Sequence, residues 1–437
     1  MKRSVLYWFY GGGFETGTIF SVANDVRYLA VLGDVIVVTV NYRLGPWGFM
    51  YAGTEDAAGN MGLYDQLLGL KWVNKNIDKF GGDPKSITIF GESAGGMSVG
   101  AHVLSPLSHG LYRRAIMQSG SPNSYLGSES KEKGYAKTLH LATKLNCSTA
   151  SGADIVACLK LKTTDQILNI SKIARLDSAT FEPIWGEELM PIDPKLALQN
   201  GDFNKEIDLM FGTVSEEGAL FVEALFRDKL NPDIVNPPIN VTISHQIIQF
   251  MYMAFKESMQ MGGVVADFYL KGLKDNDFDK LRQAIGYGFG DYHLTCPTVL
   301  FGQEFARHST GNKVYAFRQT FPPAIPVFPE CRGWMGVCHG DDVMMLFGFP
   351  LKLKGITFTD NDVKLSLDMI KTWSTFARTG SPPQLGADKW EEAVDRKVAD
   401  SHVKYMDLNP KSNYPLVTDY YKESCEDFWA KTWGYKK

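Results

Sequence analysis

The chain has 437 residues, of which 44% are apolar and 22% charged, and a formal net charge of -4. Such ordinary proportions exclude disordered and fibrous classes, and a sequence without a dense basic run lacks the electrostatic footprint of a nucleic-acid-binding protein. Its longest aliphatic-rich stretch, Val35 to Val40, is far shorter than the roughly 20 apolar residues of a membrane-crossing helix.

Met1-Lys2-Arg3 runs straight into a strand and a glycine loop, without a small-residue cleavage site, so the start is not read as a signal peptide. Short β-branched or aromatic runs predict strands from Val5 to Tyr10, Val35 to Tyr42, Ser86 to Phe90 and Ala115 to Gln118. A helix is expected from about Leu63 to Phe80, stopped by Gly81, Gly82 and Pro84. This alternation predicts an α/β fold with a parallel sheet and crossover helices. Helical segments are expected from Lys131 to Leu168 and from Ser244 to Leu273, with later strands from Ile207 to Phe211 and from Val314 to Arg318. With no internal repeat or linker, residues 1–437 read as one domain.

Six cysteines are too few for a disulfide scaffold at this length, and leave either two or three bridges or buried thiols. Asn-x-Ser/Thr sequons stand at Asn146, Asn169 and Asn240 and suit an exported surface.

Gly91-Glu92-Ser93-Ala94-Gly95 matches Gly-x-Ser-x-Gly, a pattern that needs small flanks because the nucleophile sits on a sharp strand-to-helix turn. The strand Ser86 to Phe90 enters that turn, and Ala94 to Leu104 can leave it as a helix. A serine hydroxyl also needs a base and donors for the developing oxyanion. Gly11-Gly12-Gly13 after the first strand offers backbone amides at Gly12 and Gly13, and the amide of Ala94 completes the set.

The chain resembles the type-B carboxylesterase and cholinesterase family from Val5 nearly to its end. The matching stretches are Tyr10-Gly11-Gly12-Gly13-Phe14, Asn41-Tyr42-Arg43-Leu44-Gly45, Gly59-Asn60-Met61-Gly62-Leu63-Tyr64-Asp65-Gln66 and Phe90-Gly91-Glu92-Ser93-Ala94-Gly95-Gly96. The resemblance implies an α/β-hydrolase fold and hydrolysis of small carboxylic esters by a Ser-Glu-His triad, without metal or organic cofactor. It places the acid at Glu217 in Ser215-Glu216-Glu217-Gly218, with Glu216 as an exposed loop carboxylate, and the base at His339 in Trp334-Met335-Gly336-Val337-Cys338-His339-Gly340. The other histidines are expected at the surface or satisfied in the core. Arg43 and Asp65 are expected to pair beneath the site or to be two solvated charges.

The resemblance also implies bridges Cys147–Cys158 and Cys296–Cys425. Cys331 and Cys338 remain, flanking the approach to His339, as either a third bridge or two thiols. Leu220 stands where cholinesterase-like relatives carry an aromatic residue of the choline pocket, and Leu126 where they carry a tryptophan of the acyl pocket. Both changes imply a roomier aliphatic site, hence a general carboxylesterase rather than a cholinesterase, and Phe221 is placed with them in the substrate pocket. The family pattern includes a segment ahead of the glycine loop, with a signal peptide, the first strands of the sheet and an aromatic-bearing loop. Its absence here implies an N-terminally incomplete domain whose Val35 to Val40 strand lies at an open edge prone to association. Family resemblance implies a secreted protein. Other readings are a lipase or cholinesterase, an inactive fragment of an esterase, or a non-catalytic adhesion relative of the same fold, which typically loses the nucleophile.

Overall fold

Alternation along each strand decides where the core lies. In the first strand, Arg3–Phe9, Val5, Tyr7 and Phe9 join one buried cluster while Leu6 and Trp8 join another. The same division separates Ile87 and Ile89 from Phe90, Leu209 and Phe211 from Met210, and Ala316 from Tyr315 and Phe317. Successive side chains point to opposite faces of a strand, so a sheet with near-continuous apolar strands must be covered on both sides.

The computed structural model describes residues 2–174, 181–255, 258–309, 311–352, 358–398 and 401–435. Its main sheet has eight strands, in the spatial order Ile36–Thr39, Arg3–Phe9, Gly82–Glu92, Arg114–Gln118, Asp208–Val214, Val314–Gln319, Lys404–Leu408 and Leu416–Thr418. Every neighbouring pair is parallel except the last. The α/β class expected from the sequence is therefore observed, with two further strands, Lys404–Leu408 and Leu416–Thr418, that sequence patterning did not single out. Ile36–Thr39 is shorter than the expected strand and pairs only with Arg3–Phe9 among the described residues, which puts it at the sheet's edge.

Helices fill both faces. The expected first long helix is Met61–Asn76, continued by a tighter turn at Ile77–Phe80 that Gly81 ends in the left-handed conformation. The Ala94–Leu104 helix is buried at all of its positions, as an Ala, Gly and Val-rich helix packed beneath a sheet should be. The helical segment after Lys131 divides into Lys131–Lys144, Gly152–Leu159 and Thr164–Ala174. That from Ser244 to Leu273 divides into Val241–Ala254 and Met259–Tyr269, around two residues outside the description.

All six cysteines are bridged, as Cys147–Cys158, Cys296–Cys425 and Cys331–Cys338. Cys296–Cys425 joins residues 129 apart and ties the C-terminal helical turns at Lys422–Trp429 to the Cys296–His308 helix. A bridge across so long a loop restricts the unfolded chain strongly. Replacing both cysteines by alanine is expected to lower unfolding free energy by about 2 to 5 kcal/mol. Chemical denaturation of the paired variants measures it, and the corresponding Cys147–Cys158 replacement should cost less.

Candidate active site

The proposed site residues all follow the C-terminal ends of parallel strands, where ligands collect in open α/β sheets. Gly11 to Gly13 follow Arg3–Phe9, Ser93 follows Gly82–Glu92, Glu217 follows Asp208–Val214, and His339 lies on the long loop after Val314–Gln319. Residues more than 300 positions apart in sequence meet because these four strands lie within five consecutive strands of the sheet, with Arg114–Gln118 between Gly82–Glu92 and Asp208–Val214, and end on the same side.

Ser93 occupies a sharp turn with φ 58° and ψ -127°, a conformation that non-glycine residues adopt only where the surroundings enforce it. Its amide donates to Gln118 O at 2.9 Å, and its carbonyl accepts from the Met97 amide at the same distance. Both flanking glycines are sterically required: a Cβ on Gly91 would lie 2.4 Å from the Gly95 carbonyl carbon, and one on Gly95 would lie 2.0 Å from Phe9 O. The glycine loop packs on the same turn, since a Cβ on Gly11 would come within 2.9 Å of Ser93 Cβ. Gly12 and Gly13 have φ of 118° and 61°, and Gly12 O accepts from the Glu15 and Thr16 amides, fixing the loop's direction. A Cβ on Gly13 would meet nothing within 4 Å, so that glycine borders open space.

His339 and Glu217 are both buried, and Nδ1 of the imidazole lies 2.7 Å from Glu217 Oε2. The other Glu217 oxygen accepts from the Val214 amide at 2.9 Å, which fixes the carboxylate. Nε2 has no hydrogen-bond partner among the described residues, although Glu92 Oε1 approaches it to 3.2 Å without the alignment of a hydrogen bond. Nε2 therefore faces the turn that carries Ser93 with its acceptor capacity uncommitted. The ring of Phe221 lies 5.4 Å from that of His339 and stacks on Phe289 at 5.2 Å. Leu126, Leu220 and Phe221 are all half-buried.

Glu92, Asp341 and Asp342 are residues whose place in the site the sequence analysis missed. Burial is the largest influence on Glu92 and pushes its carboxyl up to about 8, with Asp342, Glu217 and Asp341 adding repulsion against the pull of His339. Burial also raises Asp341 to about 7 and Asp342 to about 6. Burial disfavours the His339 cation, but Glu92, Glu217 and Asp342 together outweigh it and lift the imidazole to about 9. Glu92 and His339 lie close enough for the charge of each to act on the other's proton affinity, and a neutral imidazole leaves Nε2 able to accept. A charged residue between the motif's glycine and serine, and two acids straight after His339-Gly340, were the available signals.

Glu216 is half-buried rather than exposed: its Oε2 accepts from the Val337 amide at 3.0 Å. Arg43 and Asp65 do pair, at 2.7 Å, with Arg43 about half exposed. His102 is a satisfied core histidine between Gln66 and Ser108. His293 departs from that expectation, buried among Phe255, Phe289 and Tyr292 with neither ring nitrogen hydrogen-bonded among the described residues. Cys331, Cys338 and Asp341 form the one cluster of metal-like spacing among the described residues, but the two sulfurs are bonded to each other. No described helix is long and apolar enough to cross a membrane.

Comparison with known proteins agrees with this fold. Residues 1–429 match the profile described as the Carboxylesterase family. The chain belongs to the carboxylesterase family. That family is one of carboxylic ester hydrolases with the α/β-hydrolase fold, to which the sheet described above conforms. A cholinesterase of Mus musculus is 35% identical over 422 residues, covering 94% of this chain and 67% of the relative. An acetylcholinesterase of Bungarus fasciatus is 32% identical over 420 residues, covering 95% and 66%, and one of Danio rerio is 32% identical over 415 residues, covering 87% and 64%. The chain thus spans about two thirds of the length of these carboxylesterase-family relatives.

The Glu92–His339 contact has a measurable consequence. Replacing Glu92 by Gln removes the largest charge that raises the imidazole, so His339 loses its proton at lower pH. Because the base proposed at His339 must be neutral to accept a proton, the acidic limb of kcat/KM is expected to move to lower pH in Glu92→Gln. An unmoved or upward-shifted limb, read from a pH–rate profile, contradicts this electrostatic assignment.

Proposed function

We propose that this chain hydrolyses small carboxylic esters through an acyl-enzyme on Ser93, within one catalytic domain. The observation that carries the reading is the buried 2.7 Å contact of His339 with Glu217 beneath a strained serine turn. Nε2 of His339 takes the proton from Ser93 Oγ as it attacks the ester carbonyl. Glu217 fixes the imidazole tautomer through Nδ1 and stabilises the imidazolium. The amides of Gly12, Gly13 and Ala94 receive the oxyanion, in a loop and helix start that pack against the Ser93 turn. His339 returns the proton to the leaving alcohol, then activates water to release the acid. No step needs a metal or organic cofactor.

Leu126, Leu220 and Phe221 form the apolar surroundings proposed for the substrate. Leu220 supplies no aromatic face for a quaternary ammonium, which favours neutral esters. The Cys331–Cys338 bridge closes the loop before His339 and is assigned to holding the base. Retention of Ser93, Glu217, His339 and the glycines favours an enzyme over an adhesion protein. Three disulfides, with sequon residues Asn146 and Asn169 exposed and Asn240 half-buried, support a secreted protein.

Turnover of a short-chain aryl ester tests the reading. The chain is expected to hydrolyse it, to prefer it to a long-chain emulsion, and to lose turnover in Ser93→Ala. Turnover undiminished in Ser93→Ala overturns the mechanism, preference for the emulsion favours a lipase, and no turnover by the unaltered chain favours the adhesion reading. Neutral esters should also exceed choline esters of similar size by about tenfold in kcat/KM, the equivalent of the 1 to 2 kcal/mol of a desolvated cation–π contact. A clear preference for the choline ester contradicts the assignment of Leu220.

A further inference from the structure

Glu216 sits beside the proposed acid, yet its hydrogen bonds go to the loop that carries the proposed base. Its amide donates to Val337 O at 3.1 Å, and its Oε2 accepts from the Val337 amide at 3.0 Å. Main chain and side chain together grip one residue from both sides. The contact forms an isolated parallel bridge between Glu216 and Cys338, the residue immediately before His339. Ser215 Oγ and Tyr287 Oη donate to the Glu216 carboxylate, which fixes its orientation. The partner loop is shaped to receive it: Gly336 has φ 56°, and a Cβ there would lie 2.2 Å from Glu216 Oε2.

The opposite side of the loop is held independently. Cys338 is bridged to Cys331, and its amide donates to Asp341 Oδ2 at 2.9 Å. Without the Glu216 side chain, the loop would keep its disulfide and the main-chain bond to Val337 O but lose the second tie that sets its distance from the turn bearing Glu217. The 2.7 Å contact between Nδ1 and Glu217 depends on that distance.

We infer that Glu216 is a positioning residue for His339, clasping the base-bearing loop to the acid-bearing turn through the Val337 peptide. This rests on the Ser-Glu-His reading above and adds a role for a residue outside the triad. The clasp itself is a hydrogen bond accepted from the Val337 amide, and the charges that chiefly raise His339 are those of Glu92, Glu217 and Asp342. An amide side chain can therefore replace the carboxylate and an apolar one cannot.

The test compares the full chain with Glu216→Gln and Glu216→Met, using kcat per phosphonate-titrated site, KM, and the downfield proton resonance of His339 Nδ1–H. Glu216→Met is expected to lower kcat about tenfold to a hundredfold through misplacement of the base, with KM changed less than about twofold. Its Nδ1–H resonance should broaden or vanish. Glu216→Gln should retain kcat within about threefold, keep the resonance, and leave the pH midpoint of kcat/KM in place. A Met variant with unaltered kcat and resonance overturns the inference, as does a Gln variant as slow as the Met variant. If the Met variant does not fold, amide hydrogen exchange in the unaltered chain decides: strong protection at Val337 supports the clasp, and exchange as fast as in exposed loops overturns it. A chain without ester turnover would refute the triad reading, while the Nδ1–H resonance would still report on the clasp.

Discussion

The hydrogen bond from His339 to Glu217, buried and 2.7 Å long, is the constraint on which the rest of the arrangement depends. A carboxylate taken out of water is costly unless it is fully hydrogen-bonded. Glu217 meets that requirement with the imidazole on one oxygen and the Val214 amide on the other. Satisfying it requires the end of Asp208–Val214 and the loop after Val314–Gln319 to be held in register. Direct pairing of those two strands, from Val314 with Leu209 to Gln319 with Val214, provides that register. The Cys331–Cys338 bridge and the Glu216 contact then hold the intervening loop where the strand can no longer do so.

The surroundings of the imidazole are acidic as well as apolar. Glu92, Glu217, Asp341 and Asp342 are all buried near one histidine, and burial raises three of these carboxyls. Such a group of acids resists full ionisation. Gln118 Nε2 donates to Asp342, and Trp373 Nε1 donates to Gln118, so part of the charge is stabilised by neutral dipoles. The result favours an imidazolium when the histidine gains a proton, which is the state that a general base enters during attack.

Most of this architecture was readable because its determinants are local. Gly91, Ser93 and Gly95 must be spaced as they are for the turn to close, and the apolar runs at Val5, Ile87 and Leu209 can only be buried strands. The Lys404–Leu408 strand was less legible because Lys404 and Asp407 interrupt its apolar pattern, and pairing with Val314–Gln319 decides its conformation. The Asp360–Thr379 helix carried a local signal that went unused, the reciprocal cap between Thr359 and Asp362. Glu216 was misjudged for a different reason: adjacency to Glu217 says nothing about which distant loop its side chain meets. The partner, Val337, lies 121 residues away. Likewise, sequence left Cys331 and Cys338 open between bridge and thiols, and only the folded loop brings them together.

The most direct test of the central claim is covalent labelling by a phosphonylating ester, read by intact mass and peptide mapping. The proposed base, acid and oxyanion loop predict a single adduct, located on Ser93, whose formation slows sharply in Glu217→Gln. An adduct on another serine, or labelling of Ser93 at an undiminished rate in Glu217→Gln, would contradict the account.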